Sequence, residues 1–230
     1  MDNIAAVEVK KVTKTYQLEK TTFEALKGID LTISHGDFTA IAGCSGSGKS
    51  TLLNLIGCLD QPTTGEIYIK GQKVDELGEK ALDHVRLHTI GFVFQTFNLI
   101  PVLNIYENIE LPLLIRKDMT SGEKKDRVEH FMECVGLADK RNHKPSELSG
   151  GQRQRITVAR ALVTDPEIVL ADEPTANLDS ATGIEIIELM AGINEKEHTT
   201  FIFSTHDSKV LKYTRHTTWL EDGLIKMREQ

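Results

Sequence analysis

Eight consecutive residues constrain this chain more than anything else in it. Gly43-Cys44-Ser45-Gly46-Ser47-Gly48-Lys49-Ser50 fits the pattern G-x-x-x-x-G-K-[ST]. The apolar run Phe38–Ala42 precedes it, and helix-like apolar spacing over Thr51–Leu59 follows. A buried strand, a glycine-rich turn and a helix in that order make an anion site. Glycines let backbone N–H groups turn inward around phosphate oxygens, and the helix N-terminus points its dipole at the same place. Lys49 adds a point charge for the terminal phosphates, and Ser50 places a hydroxyl where Mg²⁺ would sit. The stretch from Gly43 through Ser50 to Thr51 is therefore the candidate nucleotide-binding segment. Cys44 has two readings within it. It is a small residue filling a loop position, or a reactive thiol activated by the helix end and Lys49.

A second acidic element completes the chemistry. Ile168-Val169-Leu170-Ala171-Asp172-Glu173-Pro174 is an apolar strand ending in two carboxylates. In open parallel sheets, ligands bind beyond the carboxyl ends of strands. Asp172 is thus placed for Mg²⁺, and Glu173 for polarising an attacking water.

The remaining pattern predicts an α/β fold. Val7, Val9 and Val12 suggest a first strand; Ile29, Leu31 and Ile33 a second; Ile67 and Ile69 another before a turn at Gly71. Residues 96–162 read as mainly helical. Thr120 with Glu123 forms a capping-box pattern opening a helix through Val135, closed by Gly136. Ser149 with Gln152 opens another towards Leu162. Strand character returns at Ile168–Ala171, helix at Thr182–Ile193, and strand at Phe201–Ser204. Asp222-Gly223, between Trp219–Glu221 and Leu224–Met227, signals a hairpin. The expected organisation is one domain: an α/β core from residues 1–95 and 163–230, with a helical insert at 96–162.

Composition bounds the partners. The 230 residues carry 27 Lys and Arg against 34 Asp and Glu, a net charge of −7, which argues against nucleic acid as the main partner. No apolar run approaches the roughly 18–20 residues of a membrane span, and no signal-peptide pattern opens the chain. Three Cys without CxxC spacing favour a reducing compartment over a disulfide framework or zinc site.

Leu148-Ser149-Gly150-Gly151-Gln152 separates this chain from other phosphate-loop proteins. It reads as a capped helix start bearing two glycines, which cost helix stability and so imply a close backbone approach. Here the sequence resembles the ATP-binding-cassette (ABC) family, of which LSGGQ is the signature. Further marks fall in the family's order: Tyr16 as adenine-stacking aromatic, Gln95 as Q-loop, Asn177-Leu178-Asp179 as D-loop, and His206 as switch histidine. Taken singly, Gln95, His206 and Tyr16 also fit ordinary surface or packing positions.

The resemblance implies a phosphate-loop NTPase (RecA-like) core with an N-terminal antiparallel β-subdomain and an inserted α-helical subdomain. It also implies ATP and Mg²⁺ as cofactors and a head-to-tail homodimer enclosing two ATP. Ser149, Gly150, Gly151, Gln152 and Asp179 would then act across the interface, and Glu173, His206 and Gln95 would be catalytic. Ser50, Gln95 and Asp172 would hold the metal. The stretches at 25–29, 55–60, 92–101 and 107–112 look like the lipoprotein-release (LolD-type) and macrolide-efflux (MacB-type) branch. That branch implies a transmembrane permease partner, a peripheral place on the cytoplasmic membrane face, and export or extraction of lipoprotein, peptide or macrolide-like substrates. Residues 96–115 would meet that partner, or else form subdomain core. A soluble or cell-division-type ABC ATPase, and a clamp that binds ATP without turnover, are the alternatives.

Overall fold

The computed structural model describes residues 5–18 and 21–226. Met227, at the end of the expected hairpin, lies outside them. Strands β1 (Val7–Leu18), β2 (Thr21–Ile33), β4 (Thr64–Ile69) and β5 (Gln72–Lys73) form a four-stranded antiparallel sheet in the order β2-β1-β4-β5. A six-stranded sheet has the order β10-β9-β3-β8-β7-β6. It is built from β3 (Phe38–Ala42), β6 (Ile90–Val93), β7 (Ile168–Asp172), β8 (Thr200–Thr205), β9 (His216–Glu221) and β10 (Leu224–Lys226). The first five of these run parallel, and β10 returns antiparallel to β9.

Alternation along the central strands divides the core. Phe38, Ala40, Val169, Ala171, Phe201 and Phe203 face one apolar cluster. Ile41, Ile168, Leu170 and Ile202 face the other, shared with the antiparallel sheet and with α1 (Lys49–Ile56). This period of two is what a strand buried on both faces requires.

Between β6 and β7 every regular element is helical: α3 (Ile105–Glu110), α4 (Ser121–Cys134), α5 (Gly150–Leu162) and three short 3₁₀ turns. Both expected capping boxes form, Thr120 with Glu123 on α4 and Ser149 with Gln152 on α5. A third, Asn104 with Glu107, opens α3. The insert is not separately cored, because α5 packs on α3 and α4 and also against β6. Its residues share one apolar cluster with a face of the central sheet.

Three boundaries differ from the sequence reading. Helix α1 begins at Lys49 and closes at Gly57, so residues 57–59 form a turn. Helix α2 (Glu79–Thr89) was not foreseen, because it buries only Leu82 and Val85 and shows a thin apolar stripe. Helix α6 (Ser180–Glu197) starts two residues before its expected start and runs four residues past its expected end. At the hairpin, Asp222 (φ 49°) and Gly223 (φ 77°) both take the left-handed conformation that a two-residue Asp-Gly turn demands.

Candidate functional site

Parallel register gathers the site at one end of the central sheet. Ala42 pairs with Thr205, Asp172 with Ser204, and Val93 with Ala171. The residues that follow, Gly43, Glu173, His206 and Gln95, therefore emerge at the same carboxyl edge.

The phosphate loop is held by close packing as well as conformation. A side chain at Gly43 would collide with the Leu220 carbonyl, and a Cβ at Gly48 would lie 2.7 Å from the Ala25 carbonyl. Gly46 and Gly48 have φ of 80° and 104°, open to glycine at no steric cost. The Lys49 ammonium, buried within this loop, donates to the carbonyls of Gly43 (2.9 Å) and Cys44 (2.8 Å). The loop thus carries a buried positive charge at its centre. The Ser47 hydroxyl is buried there without a protein partner. Cys44 is an exposed free thiol.

Opposite the loop, Ser50 Oγ donates to Asp172 Oδ1 at 3.0 Å. A hydroxyl and a carboxylate oxygen so close are hard oxygen donors of the kind Mg²⁺ takes, so the residues fit the ion. Glu173 lies beside them, its Oε1 4.0 Å from Lys49 Nζ and 2.8 Å from His206 Nδ1. Its carboxylate is largely buried, while His206 stands mostly exposed above it. With Glu173 ionised, Nδ1 is the protonated nitrogen. Glu173 is also strained, with φ of 45°, a value that L-residues seldom adopt. Its N–H donates to the Ser204 carbonyl (2.9 Å), which fixes this bend at the strand end. Strain held by its surroundings is common where a side chain must be aimed.

Gln95 joins this edge through its backbone, whose carbonyl accepts from Asn177 Nδ2 at 2.8 Å. Asp179 caps α6, accepting from the N–H groups of Ala181 and Thr182 and from Thr182 Oγ1 (2.6 Å). The Thr182 hydroxyl and these backbone donors hold its carboxyl below the usual carboxylate range. The signature turn abuts this cap. A Cβ at Gly150 would meet Leu178 at 3.3 Å, and one at Gly151 would collide with the Thr182 methyl. A close approach to the Gly151 backbone is thus made within the chain itself, by Thr182.

Tyr16, on β1, stands at the side of α1. Its hydroxyl donates to Asp60 Oδ2 at 2.9 Å and lies against Thr51. Burial and the Asp60 carboxylate raise its phenol above the ordinary value. Several residues at or near the site had escaped the sequence reading. Lys14 and Asp60 flank Tyr16. Arg160 on α5 donates to the carbonyls of Phe97 and Asn98, just past Gln95. Lys14 and Arg160 belong to no short motif, and Asp60 closed a stretch read only as a branch mark; their placement on the fold reveals what they touch.

A phosphate loop, a facing hydroxyl–carboxylate pair and a largely buried glutamate bonded to an exposed histidine at one sheet edge define a phosphate-loop ATPase. A family model for ABC transporters matches residues 26–176. An ABC transporter ATP-binding protein of Methanocaldococcus jannaschii is 46% identical over 229 residues, covering 97% of each chain. LolD, the lipoprotein-releasing system ATP-binding protein of Alcanivorax borkumensis, is 44% identical over 227 residues, 98% of this chain and 99% of its own. MacB, the macrolide export ATP-binding/permease protein of Bdellovibrio bacteriovorus, is 42% identical over 97% of this chain, which spans 34% of that longer protein. The M. jannaschii cassette, solved as a dimer in a post-hydrolysis state with ADP and Pi, matches with a TM-score of 0.89 at 45% identity. The match covers 97% of this chain and 98% of that one. The chain belongs to the ABC transporter family as an ATP-binding, ATP-hydrolysing subunit of the kind that includes LolD and MacB. Among the described residues, no helix is long and apolar enough to cross a membrane.

Proposed function

We propose that this chain hydrolyses ATP in a head-to-tail homodimer and drives a transmembrane permease from the cytoplasmic face of the membrane. The observation that carries the reading is the cluster of Lys49, Glu173 and His206 beside the Ser50–Asp172 pair. The loop from Gly43 to Thr51 cradles the triphosphate, and Tyr16 stacks on the base. Ser50 and Asp172, with Gln95, would hold Mg²⁺, which would supply positive charge beside the phosphates. Glu173 takes up or orients the proton of the attacking water. His206, hydrogen-bonded to it, steadies that water and the γ-phosphate. The catalytic gain comes from position and electrostatics.

Ser149, Gly150, Gly151 and Gln152 of one copy complete the site of the other, with Asp179 ordering the contact. The dimeric state of the M. jannaschii relative supports this arrangement. The chain divides functionally as its elements suggest, into an α/β core over 1–95 and 163–230 and a helical signature region over 96–162. A groove of about 780 Å³ runs between α2 and the 3₁₀ turn Leu111–Ile115, lined by Leu59, Phe92, Pro112, Ile115 and Arg160. Ile115, in its lining, is 67% exposed, and Val102 and Leu114 of the same 96–115 stretch are 75% and 60% exposed. This apolar face supports residues 96–115 as the seat of the permease. The likeness to LolD and MacB supports lipoprotein, peptide or macrolide-like cargo, handled by export or extraction.

Phosphate release by the wild type and the Glu173→Gln variant tests the reading. The variant should bind ATP as tightly and turn over at least ~100-fold more slowly. Equal rates would remove Glu173 from the reaction.

A further inference from the structure

A carboxylate at the foot of the phosphate-loop helix has no part in the reaction just described. Asp60 lies in the turn after α1, four residues beyond its last residue, Ile56. Its Oδ2 accepts from the Tyr16 hydroxyl (2.9 Å). Its Oδ1 accepts from Lys14 Nζ (2.6 Å) and from the Gln61 N–H (2.7 Å). Lys14 also donates to the Gln61 carbonyl (2.7 Å), and its ammonium stands 4.9 Å from the centre of the Tyr16 ring. Lys14 and Tyr16, two apart on β1, project from the same face of the strand.

The consequence is geometric. An aromatic ring that must stack on a base loses affinity if it swings about its χ angles on binding, because its ordering then opposes association. Here the hydroxyl is tied and one ring face is covered by a cation, so a base has only the opposite face to use. The tie runs to the turn that ends α1, the same helix whose first residues are Lys49 and Ser50. Ring and phosphate loop are thereby set at a fixed spacing. Burial works against the charge on Asp60. The bonds from Lys14, Gln61 and Tyr16 outweigh it and keep the carboxyl below its usual range, so it is ionised at neutral pH.

We propose that Asp60 is a positioning residue for the nucleobase: together with Lys14 it locks the Tyr16 ring relative to the phosphate loop and sets how much of the nucleotide affinity the base contributes. This rests on the reading of Tyr16 as the base platform. The test compares dissociation constants for ATP and for inorganic tripolyphosphate, both with Mg²⁺, on the full chain by titration calorimetry. The ratio of the two isolates the base's share. In Asp60→Ala the preference for ATP should fall about five- to tenfold, roughly one weak stacking contact, while tripolyphosphate binds within about twofold of wild type. If Asp60→Ala folds poorly, Asp60→Asn is read in the same way.

Equal weakening of both ligands, or no change in either, overturns the proposal, since a merely structural role would leave the ratio unmoved. Tyr16→Ala separates the two layers. If it does not lower the ratio, the base platform itself fails and Asp60 has nothing to position. If it does lower the ratio and the Asp60 variant does not, the platform stands and the positioning role is refuted.

Discussion

Glu173 shows how much a single residue is asked to do. It bends at φ 45°, sits 4.0 Å from a buried ammonium, and holds an exposed histidine at 2.8 Å. Removing its charge with Glu173→Gln keeps its volume and should spare binding while stopping turnover. Lys49→Ala should do the opposite and weaken nucleotide binding directly, which a fluorescent-nucleotide titration would read. Asn108 governs another region. Fully buried, its amide donates to the carbonyls of Ile100, Leu103 and Asn104, and its oxygen accepts from the Ile100 N–H (2.8 Å). Asn108→Ala strands those groups and should cost about 2–4 kcal/mol, measured by urea denaturation. A loss under ~1 kcal/mol would mean that water replaces the amide. Lys49 and Glu173 were legible in local motifs, and His206 only through the family resemblance; the fold brings the three together. Asp60 and Asn108 stood in stretches read only as branch marks, and their contacts were not legible. Asp60 acts on residues more than forty positions away, and Asn108 reads as an ordinary helix residue until the loop over it is seen.

At the scale of elements, what was legible follows from local physics. Capping boxes at Thr120 and Ser149, the Asp-Gly turn, and strands buried on both faces all formed where their residues demanded. What escaped had weak periodicity. The opening residues of β2, Thr21 to Glu24, are all exposed and carry no alternation, and α2 buries two side chains only. The start of α5 carries a prediction about two causes at one glycine. Gly151→Ala would collide with the Thr182 methyl and should lower Tm by a few degrees. Adding Thr182→Ser removes that methyl and keeps a hydroxyl for Asp179, so Tm should recover. ATP-dependent dimerisation should stay impaired if, as proposed, Gly151 approaches the other copy's phosphate. Full recovery of dimerisation would confine the glycine's role to packing within the chain. The far end of α5 grips the loop after Gln95 through Arg160, which burial holds below its usual pKa. Arg160→Met keeps the buried stem and loses both bonds. It should leave nucleotide affinity within about twofold while loosening residues 96–99, seen as faster amide exchange there. Unchanged exchange would remove Arg160 as the tie.

For the molecule as a whole, composition argued only against nucleic acid and a membrane span; the ordered motifs pointed to a subunit, and the likeness to LolD bears that out. The phosphate loop and the signature turn are built on different elements. The signature glycines pack against Leu178 and Thr182 of their own chain. On the proposed reading, each copy offers a nucleotide-holding face and a signature face, and ATP joins the first to the second of its partner. On the same reading, the groove beside α2 is the face that meets the permease. The most direct test is the solution mass of the Glu173→Gln chain, by light scattering with and without ATP and Mg²⁺. A monomer of about 26 kDa without ATP should become a dimer of twice that mass with it, and Ser149→Arg should block the change without preventing nucleotide binding. A chain that binds ATP and remains a monomer would contradict the account.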